Sequence, residues 1–239
     1  MTRRSRAAAL FVWPGLALLI ALGIWQGHRL QWKTTLIEAI AARRDAPPIP
    51  LPAELDAPHA DTLEFTQVAL TGRFDHQAEM ILLARPRHGH AGSRVITPFA
   101  VMGGPVILVD RGWVPVAAED PPRRAEGQIA GTVSIEGIVR VAPPANWFTP
   151  DNQPDRDAWY RIDLAAMAAH AGVPPLGFYV EAGEAAIPGG LPIGGRPVAR
   201  IVNNHLQYAI TWYGLAVVLL VVYVFFRRGE RTRALSDKP

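Results

Sequence analysis

The chain contains no cysteine among its 239 residues. This absence excludes a C-x-x-C-H haem attachment, a thiol redox pair, a thiolate copper site and a disulfide-stapled domain. Methionine is also scarce, and the four residues Met1, Met80, Met102 and Met167 are scattered, so they do not predict a thioether copper site. Any folded domain must therefore be stabilised by its own core, for which about 170 residues are sufficient.

Catalytic signatures are missing as well. The sequence has no G-x-S-x-G, H-E-x-x-H, P-loop or G-x-G-x-x-G motif. His88 and His90 could share a metal, but no third ligand follows nearby, so a solvated turn is favoured. The carboxylates Glu181 and Glu184 have nothing that distinguishes them from surface residues. The sequence predicts no enzyme, and a membrane-anchored hydrolase is a weakly supported alternative.

Two long apolar runs, 7–25 and 206–226, dominate the hydropathy pattern. A membrane-spanning helix needs roughly 20 residues, so both runs are predicted to be transmembrane helices. The first run could instead be a cleaved signal peptide, but it is long for one and no small-x-small cleavage site follows it closely. We therefore interpret it as an uncleaved signal anchor.

The charges predict the orientation of these two helices. The tails 1–6 and 227–239 together carry 8 basic and 2 acidic residues, whereas 26–205 carries 16 Lys and Arg against 19 Asp and Glu. Because basic segments stay in the cytoplasm, both tails are predicted to be cytoplasmic and 26–205 periplasmic, in a multi-pass protein of the cell inner membrane. The excess of basic residues therefore predicts topology and contact with membrane lipid, and gives no argument for nucleic-acid binding.

The segment between the two helices is predicted to be mostly β-structure. A helical period over 33–45 continues the first helix outward, and the proline-rich stretch 47–58 predicts an extended linker. Alternating or apolar patterns predict strands at 63–70, 79–84, 94–99, 105–109, 132–141 and 178–181, with a short helix at 164–171 closed by Gly172. The predicted fold class is a membrane protein with two transmembrane α-helices flanking an extracytoplasmic, mainly antiparallel β (α+β) domain, built as a sheet or partly closed barrel.

The second apolar run begins with an ionisable residue. His205, Tyr208, Ala209 and Trp212 have the i, i+3, i+4, i+7 spacing of one helix face. Polar groups at membrane depth are costly and commonly functional, so His205 is a candidate axial ligand of haem iron with aromatic rings beside it. The alternative is an end-of-helix polar residue in an interfacial aromatic belt. The residues alone leave both open.

The outer end of the first helix has a similar composition. Trp25, Arg29 and Trp32 recur at helical spacing, and Gly23 would permit another helix to approach closely. The alternative is an interfacial aromatic belt with an arginine reaching toward the water.

Arg111 lies in the block Asp110-Arg111-Gly112-Trp113, after the apolar run 105–109. One interpretation is a strand-end turn, with Arg111 paired to Asp110 or to another carboxylate. The other is a carboxylate clamp facing the membrane, acting on a haem propionate or a partner protein. Chemistry alone does not decide between them.

Taken in order along nearly the whole chain, these motifs resemble the surfeit locus protein one family of assembly factors for haem-copper cytochrome oxidase. The resemblance is carried by Gly23, Trp25, Gln26, Arg29, Trp32, Lys33, Gly72, Phe74, Arg85, Thr97-Pro98-Phe99, Val109 to Pro115, Asn146, Phe148, Pro150, Asn152, Pro154, Trp159, Asp163, Met167, Asn203 to Ala209 and Thr211 to Gly214.

The resemblance implies a function. It implies transient binding of haem a and its delivery to the large catalytic subunit of the oxidase, with His205 as the iron ligand. The other implied haem-site residues are Tyr208, Trp212, Trp25, Gln26, Arg29 and Arg111. Haem a synthase is a further implied partner. The alternative is a membrane-tethered adaptor that stabilises the oxidase subunit without ligating haem.

Overall fold

The computed structural model describes residues 3–51, 60–195 and 203–236. The chain divides into two compact units. One combines Met1–Ala39 with Ala199–Pro239 and is called the helix pair below; the other, Ile40–Val198, is called the domain. The predicted linker 47–58 falls mostly outside the described residues, as does Lys238 of the basic tail.

Two long helices form the helix pair. The first, α1, runs without interruption over Arg3–Asp45, which confirms that 33–45 continues the first apolar run as a helix. The second, α4, covers His205–Ser236. Within the described residues, Arg6–Asp45 and His205–Glu230 are long and apolar enough to cross a membrane, and only 6% and 11% of their most apolar windows are buried. So little burial distinguishes them from the core helix of a globular domain.

The two helices contact each other through small residues and aromatic rings. A Cβ on Gly23 would lie 2.6 Å from Cε1 of Tyr213, so the close approach predicted for Gly23 is confirmed. Toward the other end, the rings of Trp13 and Tyr223 meet edge to face at 6.2 Å. The least exposed of the described α4 residues recur at intervals of three and four, as expected for two packed helices: His205, Ala209, Trp212, Ala216, Leu219, Tyr223, Arg227 and Glu230.

The domain is a β-barrel with short helices around it. Its strands are β1 Ile49–Pro50, β2 Gln67–Phe74, β3 Met80–Leu82, β4 Gly92–Val101, β5 Val106–Pro115, β6 Val133–Arg140 and β7 Tyr179–Ala182. They form one sheet in the order β1-β2-β6-β7-β5-β4-β3, and an additional pairing of β2 with β4 closes it. Most pairings are antiparallel, and β1–β2 and β5–β7 are parallel. The prediction of a mainly antiparallel, partly closed barrel is confirmed.

Several local predictions are also confirmed. The turn around His88 and Gly89 joins β3 to β4 as an antiparallel hairpin. The strand predicted over 132–141 is β6. Asp163 accepts a hydrogen bond from the Ala166 amide and caps α3 (Leu164–His170), which Gly172 follows with a positive φ. The strand predicted over 63–70 begins later, because a helical turn, α2 (Ala60–Leu63), precedes it.

One prediction was wrong in a way that matters for function. The strand predicted over 105–109 does not end before Asp110, because β5 continues to Pro115, and its residues from Ile107 to Val114 are buried. Arg111 therefore lies inside a strand, and the strand-end turn is incorrect. Gly112 permits this course: its φ is +131°, and a Cβ there would lie 2.7 Å from the Gly194 nitrogen. The glycine lets the segment around Ile193 pair with Trp113 through two 2.8 Å hydrogen bonds.

The domain is stabilised by two large apolar clusters and by a third, small one that consists of Val95, Val114 and Ala118. The first large cluster fills the barrel between β2, β4, β5, β6 and β7, with Val68, Leu70, Phe99, Ile107, Val109, Val139, Phe178 and Val180. The second large cluster packs α3 against β3, β4 and β5, with Met80, Leu82, Ile96, Leu108, Trp159, Met167 and Tyr179. Several charged side chains are buried among these strands, and each must find a partner inside the domain.

Candidate functional site

A hydrogen bond joins the two helices at the start of α4. His205 is the first residue of that helix, and its Nδ1 lies 2.7 Å from Oε1 of Gln26 in α1. An amide oxygen can only accept, so Nδ1 carries the proton and donates it. Gln26 is only 8% exposed, so the bond is held within the helix pair.

This bond determines what His205 can do chemically. In a neutral imidazole with a protonated Nδ1, the lone pair available to a metal is on Nε2. Among the described residues, Gln26 is the only hydrogen-bond partner of the His205 imidazole. Histidines that ligate metals commonly donate their second ring nitrogen to an oxygen acceptor, which fixes the tautomer and the ring orientation. The arrangement therefore fits a single-histidine ligand of haem iron.

The surrounding residues divide into packed and exposed ones. Trp212 and Ala209 lie on the packed face of α4 with His205, and Trp212 Nε1 is buried without an acceptor among the described residues. Tyr208 lies off that face and is 54% exposed. On α1, Trp25 is 56% exposed. The guanidinium of Arg29 lies 4.0 Å from the centre of the Trp32 ring, an attractive cation–π contact.

A second hydrogen bond to α1 comes from Asn203, two residues before α4 begins. Asn203 Nδ2 donates to Thr34 Oγ1 at 3.3 Å. This bond is solvent-exposed, so it contributes less than the buried bond of Gln26. Of the two hydrogen bonds, only that of Gln26 has an imidazole as its donor.

Arg111 belongs to the domain and has its partners there. Its side chain is 2% exposed, and its Nη1 lies 3.5 Å from Oε2 of Glu79. Its Nη2 donates to the Gly127 carbonyl oxygen, and its Cζ lies 4.7 Å from the centre of the Phe74 ring. Arg111 is thus paired with a carboxylate other than Asp110. A clamp on a carboxylate from outside stays a prediction that these contacts do not favour.

Glu79 is the centre of this buried cluster, and nothing in the sequence singled it out. Its two oxygens accept from Nη1 and Nη2 of Arg124, whose Nε donates to the Ala118 carbonyl oxygen at 3.0 Å. Asp110 has a partner of its own, Arg94. These pairings join residues far apart in the chain, so no local pattern could have identified them.

The cluster also contains one histidine, His76, beside Arg111. Burial, and to a smaller extent the positive charges of Arg111 and Arg124, lower the pKa of His76 below its ordinary 6.5. The neutral ring fits its contacts, since Nε2 lies 3.1 Å from the Ile129 carbonyl oxygen and Nδ1 lies 3.4 Å from Arg111 Nη1. Burial also lowers the pKa of Arg111 to about 10, so that arginine remains charged at neutral pH.

The loop after β6 carries an exposed aromatic pair that the motif search did not single out as a site. Trp147 is 86% exposed and Phe148 is 73% exposed. A possible signal was present in the sequence, since two adjacent aromatics lie between Pro143-Pro144 and Pro150. The described residues contain no group of three or more His, Asp or Glu side chains suited to a metal ion, at the turn of His88 and His90 or elsewhere.

Comparison with known proteins places these features in one family. The family model described as "SURF1 family" matches residues 15–217. A SURF1-like protein of Monosiga brevicollis is 40% identical over 232 residues, which cover 91% of this chain and 87% of that protein. Surfeit locus protein 1 of Homo sapiens is 38% identical over 227 residues, covering 88% of this chain and 73% of the human protein. The rat protein of the same name is 38% identical over 231 residues, covering 90% of this chain and 73% of its own length.

Proposed function

Because this chain belongs to the SURF1 family, we propose that it is an assembly factor for haem-copper cytochrome c oxidase. Its specific task is to bind haem a transiently and deliver it to the large catalytic subunit, with haem a synthase as a possible donor. The helix pair is the part of the molecule that binds haem a, and the domain docks on the partner protein. We propose no catalytic step for the chain itself.

The observation that carries this proposal is the hydrogen bond between His205 and Gln26. It supports Nε2 of His205 as the axial ligand, because Nδ1 donates its proton to Oε1 of Gln26, 2.7 Å away, and is not available to a metal. The flat rings beside it, Tyr208 and Trp25, are each more than half exposed, which leaves apolar surface for a macrocycle. Haem bound in this way supplies an iron centre that is carried and released, and the chain's residues bind and orient it.

The membrane setting is part of the same proposal. Helices α1 and α4 would cross the inner membrane, with both basic tails in the cytoplasm and the domain in the periplasm. The long apolar stretches and their low burial support this arrangement. Haem a carries a long isoprenoid tail, and exposed apolar helix surfaces would let that tail remain in the lipid. Reporter fusions at residues 6 and 150 should report the cytoplasm and the periplasm, respectively.

The decisive experiment is a titration of the full-length protein, purified in detergent, with ferric haem a. Wild-type protein should give a saturable change in the Soret band. His205→Ala should lose most of this binding, because it removes the only proposed protein ligand. His28→Ala is the matched control, since His28 is an exposed histidine near the outer end of the same helix pair, and it should bind like the wild type.

The result also decides between the two functions considered. If His205→Ala keeps the wild-type affinity and spectrum, the ligand assignment is wrong. The chain would then be a tethered adaptor, or would ligate through His28, which the control variant would reveal. The assembly function has its own readout, because cells lacking this chain should make oxidase with less haem a.

A further inference from the structure

A permanently charged side chain lies close to the proposed iron ligand in the helix pair. Arg29 follows Gln26, the partner of His205, by three residues, and residues three apart on a helix are neighbours. Among the described residues, no carboxylate forms an ion pair with Arg29. The segments 7–37 and 203–229 contain no Asp or Glu at all. The helix pair therefore holds, near His205, a cation to which no described carboxylate is paired.

The indole ring of Trp32 holds this guanidinium in place. Cζ of Arg29 lies 4.0 Å from the centre of the Trp32 ring, and the ring face attracts the cation. A side chain that is held before binding loses less conformational entropy when it binds a ligand. The planar guanidinium presents a fork of N–H donors that matches the two oxygens of a carboxylate. Arg29 is therefore suited to bind a carboxylate at the surface of the helix pair.

The phase of the two helices places Arg29 on the same side as the exposed aromatic rings. His205 faces Gln26, and on one side of that contact Gly23 packs against Tyr213. With about 3.6 residues per turn, the residues that project to the opposite side form an edge, called the open edge below: Trp25, Arg29 and Trp32 of α1 and Tyr208 of α4. The three rings are each more than half exposed, so this edge has room for a flat macrocycle beside His205.

Resting on the function proposed above, we propose that Arg29 binds a propionate of the haem a that His205 ligates, and so sets the orientation of this cargo on the open edge. The two propionates are the charged substituents of haem a, and the isoprenoid tail is attached at the opposite side of the macrocycle. A propionate at Arg29 therefore directs the tail toward the apolar run 7–25, which precedes Gln26 in α1. Arg111, the other candidate for this contact, pairs with Glu79 inside the domain.

The test is a chemical double-mutant cycle on the full-length protein in detergent. Ferric haem a, and its dimethyl ester in which both propionates are uncharged, are titrated into the wild type and into Arg29→Gln, and binding is followed in the Soret band. Arg29→Gln should weaken binding of haem a about 10-fold, the loss expected for a hydrogen bond to a charged group. It should leave binding of the ester unchanged. An equal loss with both compounds, or no loss with either, overturns the proposal, because Arg29 would then act on the fold or on a lipid phosphate.

Further substitutions locate the effect. Arg228→Gln removes an exposed cation near the other end of the helix pair and should change the binding of neither compound. Trp32→Leu should weaken haem a binding less than Arg29→Gln does, because the charge remains and only its fixed position is lost. Lys33 is the rival cation in α1. A difference between acid and ester that depends on Lys33→Gln and not on Arg29→Gln overturns the assignment to Arg29.

Gly27→Leu tests the choice of edge. Gly27 projects to the side of Gly23, and a Cβ there would meet no heavy atom within 4 Å, so the helix pair can accommodate the leucine. If the macrocycle lies on the open edge, Gly27→Leu should bind haem a like the wild type. Loss of binding in this variant would place the macrocycle on the opposite edge, away from Arg29, and would overturn the proposal.

The variant His205→Ala separates this proposal from the proposed function. If His205→Ala loses haem a but Arg29→Gln does not distinguish the acid from the ester, the role of Arg29 is wrong and the ligand assignment stands. If His205→Ala binds haem a like the wild type, the ligand assignment is wrong, whatever the ester titrations give.

Discussion

The buried polar side chains of the domain and of the helix pair have different kinds of partner. In the domain, the buried Arg111 and Arg124 share one carboxylate, Glu79, and donate further to backbone carbonyl oxygens, so these contacts are made within the domain. In the helix pair, the buried polar side chain Gln26 meets an imidazole, His205, that is partly accessible. The contacts of the buried Arg111 therefore favour a structural role, whereas one neutral hydrogen bond orients the imidazole of the proposed ligand site.

The largest effect is expected from Glu79→Gln in the domain. Removing the carboxylate charge would leave Arg111 and Arg124 buried without an anionic partner, and breaking a buried pair costs about 3–5 kcal/mol. The free energy of unfolding should fall by that amount in urea titrations of the full-length protein, followed by tryptophan fluorescence. Glu136→Gln, on the exposed face of β6, should change stability by less than about 0.5 kcal/mol. Equal effects of the two variants would contradict the role assigned to Glu79.

Arg111→Lys should have a smaller effect on the same measurement. Lysine keeps the charge but lacks the planar fork that reaches both Glu79 and the Gly127 carbonyl oxygen. We expect a loss of about 1–3 kcal/mol, the usual consequence of an unsatisfied buried acceptor. Haem a affinity per folded molecule should not change.

A different result for Arg111→Lys would support the interpretation that Arg111 binds a carboxylate from outside the domain. If the protein stays at its normal level and stability while oxidase activity in membranes falls, Arg111 acts on a carboxylate from outside the domain. Arg111 would then bind a ligand, as is proposed for His205 in the helix pair.

The sequence predicts the local parts of this molecule better than its long-range contacts. The hairpin at Gly89, the strand β6 and the short helix α3 with Gly172 after it depend on neighbouring residues, and their patterns are visible in the sequence. The course of β5 was mispredicted because Asp110 and Arg111 suggest a solvated turn. They are tolerated inside a strand because Arg94 of β4 pairs with Asp110, and Glu79, just before β3, pairs with Arg111.

The candidate site shows the same limit. The patterns placed His205 and Gln26 near helix ends, but 179 positions separate them, and no single-sequence pattern reports that they are hydrogen-bonded. Tyr208 was predicted to share the face of His205, yet it lies to one side and is 54% exposed. On a helix, the residues at i+3 and i+4 flank residue i on opposite sides. Here they are Tyr208 and Ala209, and it is the packing of α1 that buries Ala209 and leaves Tyr208 exposed.

Gln26→Leu sharpens the comparison in the helix pair. The leucine removes the acceptor that fixes the tautomer of His205, and loss of such a partner typically weakens metal binding at least about 10-fold. Ferric haem a titrations should show this weakening, while unfolding of the domain is unchanged. Gln26→Glu keeps an acceptor for Nδ1 and should retain most of the affinity.

The control for this variant is Thr34→Val, which removes the other side-chain hydrogen bond to α1, that from Asn203 just before α4. It should leave haem affinity unchanged. Were both variants to weaken binding equally, the bond of Gln26 would matter only for holding the helices together.

The smallest expected effect is the change in stability with pH that His76 of the domain causes. The pKa of His76 is below 6.5 in the folded protein, chiefly because of burial, so near pH 6 the unfolded chain binds more protons than the folded one. Stability should therefore be fully present above pH 6.5 and should decline as the pH falls toward the folded pKa. The effect is limited because His76 is half-buried.

His76→Gln should flatten this part of the pH profile, since glutamine can still donate to the Ile129 carbonyl oxygen and does not titrate. A profile of His76→Gln parallel to that of the wild type between pH 5 and pH 7, the range in which an ordinary histidine titrates, would assign the pH dependence to other groups.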